Sequence, residues 1–162
     1  MSLHVQPDDL SSAATRALIA MHVDEMHDGC PTESVHALDA TELQHPAISF
    51  FSAWNNERLA GIGALKQWGE SQGEIKSMRV ADDFRGTGVG RAILDTLIDV
   101  ARQRSLTGLW LETGSSAPFA PARHLYARAG FVECDPFADY APDPLSVFMT
   151  LDLDPSRSAV RT

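Results

Sequence analysis

The chain contains 162 residues, of which 44% are hydrophobic, and it carries a formal net charge of −9 at pH 7. This length supports one core but not two ordinary domains, so we expect a single domain over residues 1–153 and a flexible tail over residues 154–162. The acidic balance disfavours nucleic acid as a partner, and the lack of a long apolar run or a signal-like start predicts a cytoplasmic protein with no membrane partner.

The N-terminal half predicts a helix followed by an antiparallel hairpin. Apolar residues at helical spacing indicate a helix over residues 10–28, and Thr32 followed by Glu33 indicates a short helix or turn that ends near residue 43. Strands are predicted over residues 48–54 and 58–65, because two apolar runs flank a turn-rich Asn-Asn-Glu segment.

A third strand over residues 74–80 is expected to continue this meander after a glycine-bounded turn. Side chains of a strand point alternately to its two faces. We therefore expect four residues of this strand to share one face: Glu74, Lys76, Met78 and Val80.

The C-terminal half predicts a strand-helix-strand crossover, which should be parallel and right-handed. Apolar residues between Ile93 and Ala101 recur at three- and four-residue steps, and a strand over residues 109–113 follows. Pro118 and Pro121 should introduce a last helix that runs to about Ala129, with Gly130 as its left-handed stop. Two further strands complete the prediction, over residues 131–134 and 146–151.

A glycine-rich loop lies between the third strand and the crossover helix. Glycine permits positive φ and lets a ligand approach the main chain, while the unpaired N–H groups of a helix start attract negative charge. The loop therefore predicts a phosphate or pyrophosphate site. Its residues are Arg85, Gly86, Thr87, Gly88, Val89, Gly90 and Arg91.

Two common phosphate loops fit this segment poorly. A Walker loop ends in Gly-Lys-Ser or Gly-Lys-Thr, whereas Gly90 is followed by Arg91 and Ala92. A dinucleotide fingerprint needs glycine where Arg91 stands, although Glu112 lies at a suitable distance for a ribose contact, so this alternative stays open. Neither cysteine, Cys30 nor Cys134, has metal-ligand spacing, and we expect no metal.

The motif Arg85-x-x-Gly88-x-Gly90 resembles the Q/R-x-x-G-x-G/A signature of the GNAT N-acetyltransferase superfamily. The resemblance continues through Leu125-Tyr126 and Gly130-Phe131, covers roughly residues 74–134, and points to a functionally vague subgroup. It implies an α/β (α+β) fold with a mixed sheet, an antiparallel N-terminal meander, a splayed parallel strand pair and helices on both faces.

The resemblance also implies acetyl-coenzyme A as the acyl donor. Its pantetheine would lie along the backbone of Met78, Arg79 and Val80, its pyrophosphate would bind the amides from Arg85 to Arg91, and groups near Ala122 would add contacts. Three arginines should offset the acidic surface at this site: Arg79, Arg85 and Arg91. Many family members carry asparagine where this chain has Phe119, so that contact must come from elsewhere.

For catalysis, the resemblance makes Tyr126 the acid that protonates the departing thiolate, because a phenol is protonated at neutral pH. Glu74 matches the position of a family base that takes the proton of the amine. Glu112 competes with Glu74 for this role and is also a candidate on the substrate side.

The acceptor is expected to be a primary amine of a small molecule, attacked directly in a ternary complex. Further candidates for binding it are His22, Glu33 and His36, with Tyr140 and Asp139 as weaker ones. A protein or peptide amine, or a sensor that binds coenzyme A without turnover, are the alternatives. The sequence leaves monomer and homodimer open.

Overall fold

The computed structural model describes residues 2–29 and 39–153, with residues 26–29 described by their backbone only. The strands are β1 (Leu3–Pro7), β2 (Ile48–Asn55), β3 (Arg58–Trp68), β4 (Gln72–Val80), β5 (Gly108–Gly114), β6 (Val132–Cys134) and β7 (Ser146–Asp152). The helices are α1 (Ala13–Gly29), α2 (Val89–Gln103) and α3 (Ala120–Arg128). Short turns of 3-10 helix lie at Glu42–Gln44, Asp82–Phe84 and Ala117–Phe119.

The strands form one sheet in the order β1-β2-β3-β4-β5-β7-β6. Strands β4 and β5 run parallel, and the other neighbouring pairs are antiparallel. The parallel pairing extends from Gln72 opposite Gly108 to Ile75 opposite Leu111 and stops there, although both strands continue. This confirms the predicted mixed sheet, with an antiparallel meander at the N-terminal side and a parallel pair that opens toward one end.

Helices cover both faces of the sheet. The apolar side of α2, including Ile93 and Leu97, packs into the larger core cluster together with Tyr126 of α3. On the opposite face, Leu18 and Ile19 of α1 join a second cluster with Ile62 of β3. Each helix has one apolar face, which becomes buried when the helix packs on the sheet. The sheet therefore forms the middle layer, with helices on either side.

A bulge in β4 corrects the predicted strand alternation. Ser77 has a φ of 57°, and the pairing with β3 jumps from Ala64 opposite Lys76 to Ile62 opposite Arg79. An extra residue therefore switches the faces after Lys76. Met78 and Val80 pack against the α2 core, so the prediction that they share a face with Glu74 and Lys76 is wrong.

The other element predictions differ from the structure mainly at their ends. Strand β1 was not predicted, and it adds an edge to the sheet by pairing with β2. Gly130, with a φ of 106°, follows α3 as predicted. Residues 33–38 of the predicted short helix and the predicted tail lie outside the described residues. Within the described ranges, none of the helices has the length and apolar character needed to span a bilayer.

Candidate active site

The glycine loop forms an open cradle of main-chain amides. Gly86 and Gly88 have φ values of 74° and 91°, and a Cβ added at either would meet no atom within 4 Å. No side chain caps α2, and its first turn is closed by the Ala92 amide donating to the Gly88 carbonyl. Within the described residues, the amides from Gly88 to Arg91 therefore lack a hydrogen-bond partner. An anion fits such a site, since it would satisfy these donors and face the positive end of the helix dipole.

The backbone that leads to this cradle has one unpaired edge. Beyond Ile75, β4 pairs with β3 but no longer with β5. Main-chain groups from Lys76 to Val80 on the β5 side are thus available to an extended ligand, which could add to the sheet as a strand does. The carbonyl of Val80 already accepts a hydrogen bond of 2.6 Å from Nη1 of Arg79. Cradle and open edge together fit a long ligand that carries phosphate.

The three arginines predicted near the cradle are divided by the bulge. Arg85 and Arg91 flank the loop, half to two-thirds exposed, and pair with Asp82 at 3.0 Å and Asp95 at 2.9 Å. Arg79 instead turns toward α1 on the other face. The local positive charge at the cradle therefore comes from Arg85 and Arg91 and is partly offset by carboxylates.

Glu74 lies in a buried cluster on the α1 face. Its Oε2 accepts a hydrogen bond of 2.5 Å from the Tyr140 hydroxyl and one of 3.1 Å from Nζ of Lys76. Lys76 also donates to the Tyr140 oxygen at 2.9 Å, and the side chains of Glu74 and Lys76 are only 5% and 9% exposed. We call these three residues the Glu74 triad. Its carboxylate is occupied by two donors, which leaves it less available to a substrate proton.

Glu112 follows the last paired residue of β5, at the point where the parallel strands open. The pKa of its carboxyl is raised to about 7, mainly by burial; the Ser146 hydroxyl and Lys76 lower this pKa, and the charges of Glu74 and Asp143 raise it. A carboxyl that titrates near neutrality can accept and release a proton at cellular pH. Glu112 therefore has the proton affinity that a general base needs.

Tyr126 reaches the same region from α3. Its side chain is 6% exposed and packs edge-on against Phe131. Burial raises the pKa of its phenol well above the ordinary value, and the Glu112 carboxylate adds to the shift. The Glu112 charge therefore acts on the phenol in the same direction as burial does. Tyr126 is consequently protonated across the physiological range, as a proton donor must be.

The start of α3 is held against the end of β5. Nη1 of Arg123 donates to the carbonyls of Gly114 at 2.6 Å and Ser116 at 3.0 Å. The ring of Phe119 covers Gly114, where a Cβ would come within 2.2 Å of the ring. Phe119 thus has a packing role at the position of the family asparagine. Ala122 is partly buried against the larger core.

The predicted acceptor residues are only partly brought together. His22 lies near Arg79, and burial lowers the pKa of its imidazole to about 4 with a further contribution from Arg79. Glu33 and His36 lie outside the described residues. Lys76 was not predicted as a site residue, and Tyr140 was only a weak candidate. No local pattern links them to Glu74, since Tyr140 is 66 positions away along the chain.

The free amides of the glycine loop and the unpaired edge of β4 suit the long, phosphate-bearing acyl donor of an acyl-transfer enzyme. The sequence model of the acetyltransferase (GNAT) family matches residues 15–131. The chain belongs to this GNAT family and is an acyl-CoA-dependent N-acetyltransferase.

Two bacterial relatives are similar over nearly the whole chain. The uncharacterized N-acetyltransferase YedL of Escherichia coli is 46% identical over 149 residues, which cover 92% of this chain and 94% of YedL. The uncharacterized N-acetyltransferase YsnE of Bacillus subtilis is 46% identical over 151 residues, covering 93% and 100%. A crystal structure from Klebsiella pneumoniae, named for acyl-CoA N-acyltransferase activity, superimposes with a TM-score of 0.76 at 29% identity and covers 93% of this chain and 97% of that one.

Proposed function

We propose that the protein transfers an acetyl group from acetyl-coenzyme A to the primary amine of a small molecule, by direct attack within a ternary complex. The observation that carries this proposal is the unpaired edge of β4, which runs from the point where β4 and β5 part, next to Glu112, to the free amides of the glycine loop. Acetyl-coenzyme A, when bound, supplies a thioester whose acetyl carbon can accept an amine nitrogen.

The chain would hold the donor mainly through its backbone. The amides from Gly88 to Arg91 would bind the pyrophosphate, with Arg85 and Arg91 adding charge from the rim. The open edge of β4 near Met78 would align the pantetheine. Main-chain recognition requires few particular side chains, which explains why the loop needs glycine more than it needs a specific polar residue.

Glu112 is the residue we propose as the general base. An alkylamine is mostly protonated at neutral pH and must lose a proton before or during attack. With a pKa of about 7, the Glu112 carboxyl is partly ionised at that pH and can take up this proton. Glu74, which the sequence placed first, is instead bound by Lys76 and Tyr140. We assign it to positioning and electrostatics.

Tyr126 is the residue we propose as the acid that protonates the leaving sulfur. Its phenol holds its proton firmly, because burial and the Glu112 charge disfavour the tyrosinate. Once Glu112 has accepted the proton of the amine, its charge no longer opposes ionisation of Tyr126. The phenol therefore becomes a better donor at the stage at which the thiolate departs, so the two residues act in sequence.

The charges around Glu112 support a cationic acceptor. Three carboxylates lie in this environment, from Glu74, Glu112 and Asp143, with one ammonium from Lys76. This excess of negative charge attracts an alkylammonium and disfavours an acceptor with an additional carboxylate. A small cationic amine without a carboxylate is thus the acceptor class that we favour.

An acceptor screen tests this proposal. The protein is mixed with acetyl-coenzyme A and a panel of diamines, aminosugars, amino acids and peptides, while free thiol is measured and products are identified by mass. We expect thiol release with small cationic amines and N-acetylated products. Acetylation of peptides alone would place the activity on protein amines. Coenzyme A binding without thiol release from any amine would support the sensor alternative and overturn catalysis.

A further inference from the structure

Arg79 connects three parts of the fold through one buried guanidinium. It follows the bulge of β4, is 8% exposed, and lies between α1 and the segment before the glycine loop. Its Nη2 is 2.8 Å from Oε1 of Glu25 on α1 and 3.1 Å from Oδ1 of Asp82. Its Nη1 donates to the carbonyl of Val80. The charge of Arg79 is thus neutralised jointly by carboxylates from two different elements.

The ion pairs continue from Asp82 into the loop. The same Oδ1 of Asp82 lies 3.0 Å from Nη2 of Arg85, the first residue of the glycine loop. An ion-pair chain therefore runs through four residues: Glu25, Arg79, Asp82 and Arg85. One end is on α1, which packs on the sheet face that carries the Glu74 triad, and the other is at the phosphate cradle.

Because Arg79 is buried, the ion-pair chain is sensitive to the positions of the carboxylates that neutralise its charge. Nε of Arg79 is buried and has no hydrogen-bond partner among the described residues, so the guanidinium depends on the contacts of its two terminal nitrogens. Moving Glu25 or Asp82 away would leave a buried cation with less compensation, which is unfavourable. The conformations of α1 and of the segment before the loop are thereby linked through Arg79.

We propose that Arg79 is a positioning residue that couples the ordering of α1 to occupancy of the glycine loop. The proposal rests on the cofactor site proposed above. A phosphate group at the loop competes with Asp82 for Arg85, which leaves the Asp82 carboxylate to Arg79 alone. Arg79 is then held more firmly, and Glu25 with α1 becomes more ordered. Donor binding would in this way prepare the face on which the acceptor binds.

Amide hydrogen exchange, measured with and without saturating coenzyme A, tests the coupling. In the unmodified protein, coenzyme A should slow exchange both in the loop, residues 85–92, and in α1, the latter by about fivefold or more if the coupling is of ordinary strength. In Glu25→Ala, the loop should still be protected, while the ligand-dependent protection of α1 should be lost. Glu25 is half exposed, so this variant should retain its fold.

Asp24→Ala is the matched control, because it removes the same charge from the neighbouring, exposed position of α1. It should retain the protection of α1 by coenzyme A. A purely structural role of Glu25 would speed exchange of α1 equally with and without ligand and preserve the ligand effect, which would overturn the proposal. Absence of α1 protection in the unmodified protein would also overturn it. If coenzyme A protects neither α1 nor the loop, the proposed cofactor site itself has failed.

Discussion

The Tyr140 hydroxyl donates a hydrogen bond of 2.5 Å to Oε2 of Glu74 and thereby joins the loop between β6 and β7 to the middle of the sheet. Phe137 anchors that loop, since its ring packs within 6.4 Å of the rings of Trp68, Trp110 and Phe148. This aromatic packing holds the loop that carries Tyr140 in place. Glu74 is consequently held by contacts within the protein, whereas Glu112 follows the last residue of β5 that pairs with β4.

Lys76→Met should move the pH dependence of the reaction upward. The Lys76 ammonium lowers the pKa of Glu112, whereas the Glu74 carboxylate raises it. Removing the ammonium should therefore raise the pKa of Glu112 above about 7, its value in the unmodified protein. A base works only when ionised, so the rising limb of kcat/KM should shift to higher pH. Pre-steady-state or steady-state pH profiles would measure the shift.

Lys66→Met provides the control for this variant. Lys66 lies opposite Glu74 in the register of β3 and β4 and carries the same charge as Lys76. It is not among the groups that shift the pKa of Glu112. Its profile should stay in place. An equal shift of the pH profile in both variants would show that the effect comes from the overall charge of the protein and not from Lys76 in particular. A carbon-13 titration of the Glu112 carboxyl would report the same shift without depending on turnover.

Glu112→Gln should lower turnover by about two to four powers of ten, the usual contribution of general base catalysis. In the unmodified protein, the rate should rise with pH through about 7, as the Glu112 carboxyl ionises. The amide cannot ionise, so this limb should be absent from the variant. Cofactor affinity, measured by calorimetry, should change little.

Glu74→Gln distinguishes the two carboxylates. The Glu74 charge raises the pKa of Glu112, so its removal should move the rising limb to lower pH while activity persists. If Glu74→Gln instead abolishes the limb and Glu112→Gln keeps it, the base is Glu74. That outcome would agree with the sequence analysis, which named Glu74 as the base and Glu112 as its competitor.

Tyr126→Phe should reduce kcat while leaving the dissociation constant of coenzyme A almost unchanged. The change removes one oxygen from a side chain that is otherwise held by packing against Phe131 and the larger core. Only protonation of the leaving sulfur is lost, which is a transition-state effect. Unchanged kcat under conditions where chemistry limits the rate would reject Tyr126 as the acid. Thermal unfolding would check that packing is retained.

Gly88→Ala should weaken coenzyme A binding. Gly88 has a φ of 91°, which strains any residue with a Cβ, and a Cβ there would occupy the open space of the cradle. Gly69→Ala is a suitable control, since Gly69 also has a positive φ of 65° but lies in the turn between β3 and β4. Both variants should lose stability, whereas only Gly88→Ala should lose affinity. Equal affinity in the two would contradict a phosphate site at the loop.

The sequence predicted those parts of the fold that depend on local signals. The glycine loop, the parallel pair around it and the stop at Gly130 each rest on a short pattern whose physical meaning is local. Strand β1 escaped prediction because five residues with a terminal proline give little periodicity, and its pairing with β2 supplies the missing stabilisation.

The bulge at Ser77 and the Glu74 triad could not be predicted in the same way. A polar residue in an extended run gives no sign that it will adopt a positive φ, and the bulge depends on how β4 pairs with the residues of β3 on either side of Gly63. The contact between Glu74 and Tyr140 depends on a loop that returns to the sheet much later in the chain. The roles that we propose for Glu74 and Glu112 rest on this contact, since burial and partners determine proton affinity more than strand position does.

His22→Gln should flatten the loss of stability on acidification. Burial lowers the pKa of folded His22 to about 4, with a contribution from Arg79, whereas an unfolded histidine titrates near 6.5. Between these values the unfolded state binds more protons at His22, so the free energy of unfolding falls as the pH falls. The contribution of His22 to this fall is about 2 kcal/mol between about pH 7.5 and about pH 5. Urea denaturation at both pH values should show a smaller fall in the variant. His4→Gln, at an exposed position, should keep the full fall, and an equal slope in all three proteins would show that His22 takes up its proton equally in the folded and unfolded states.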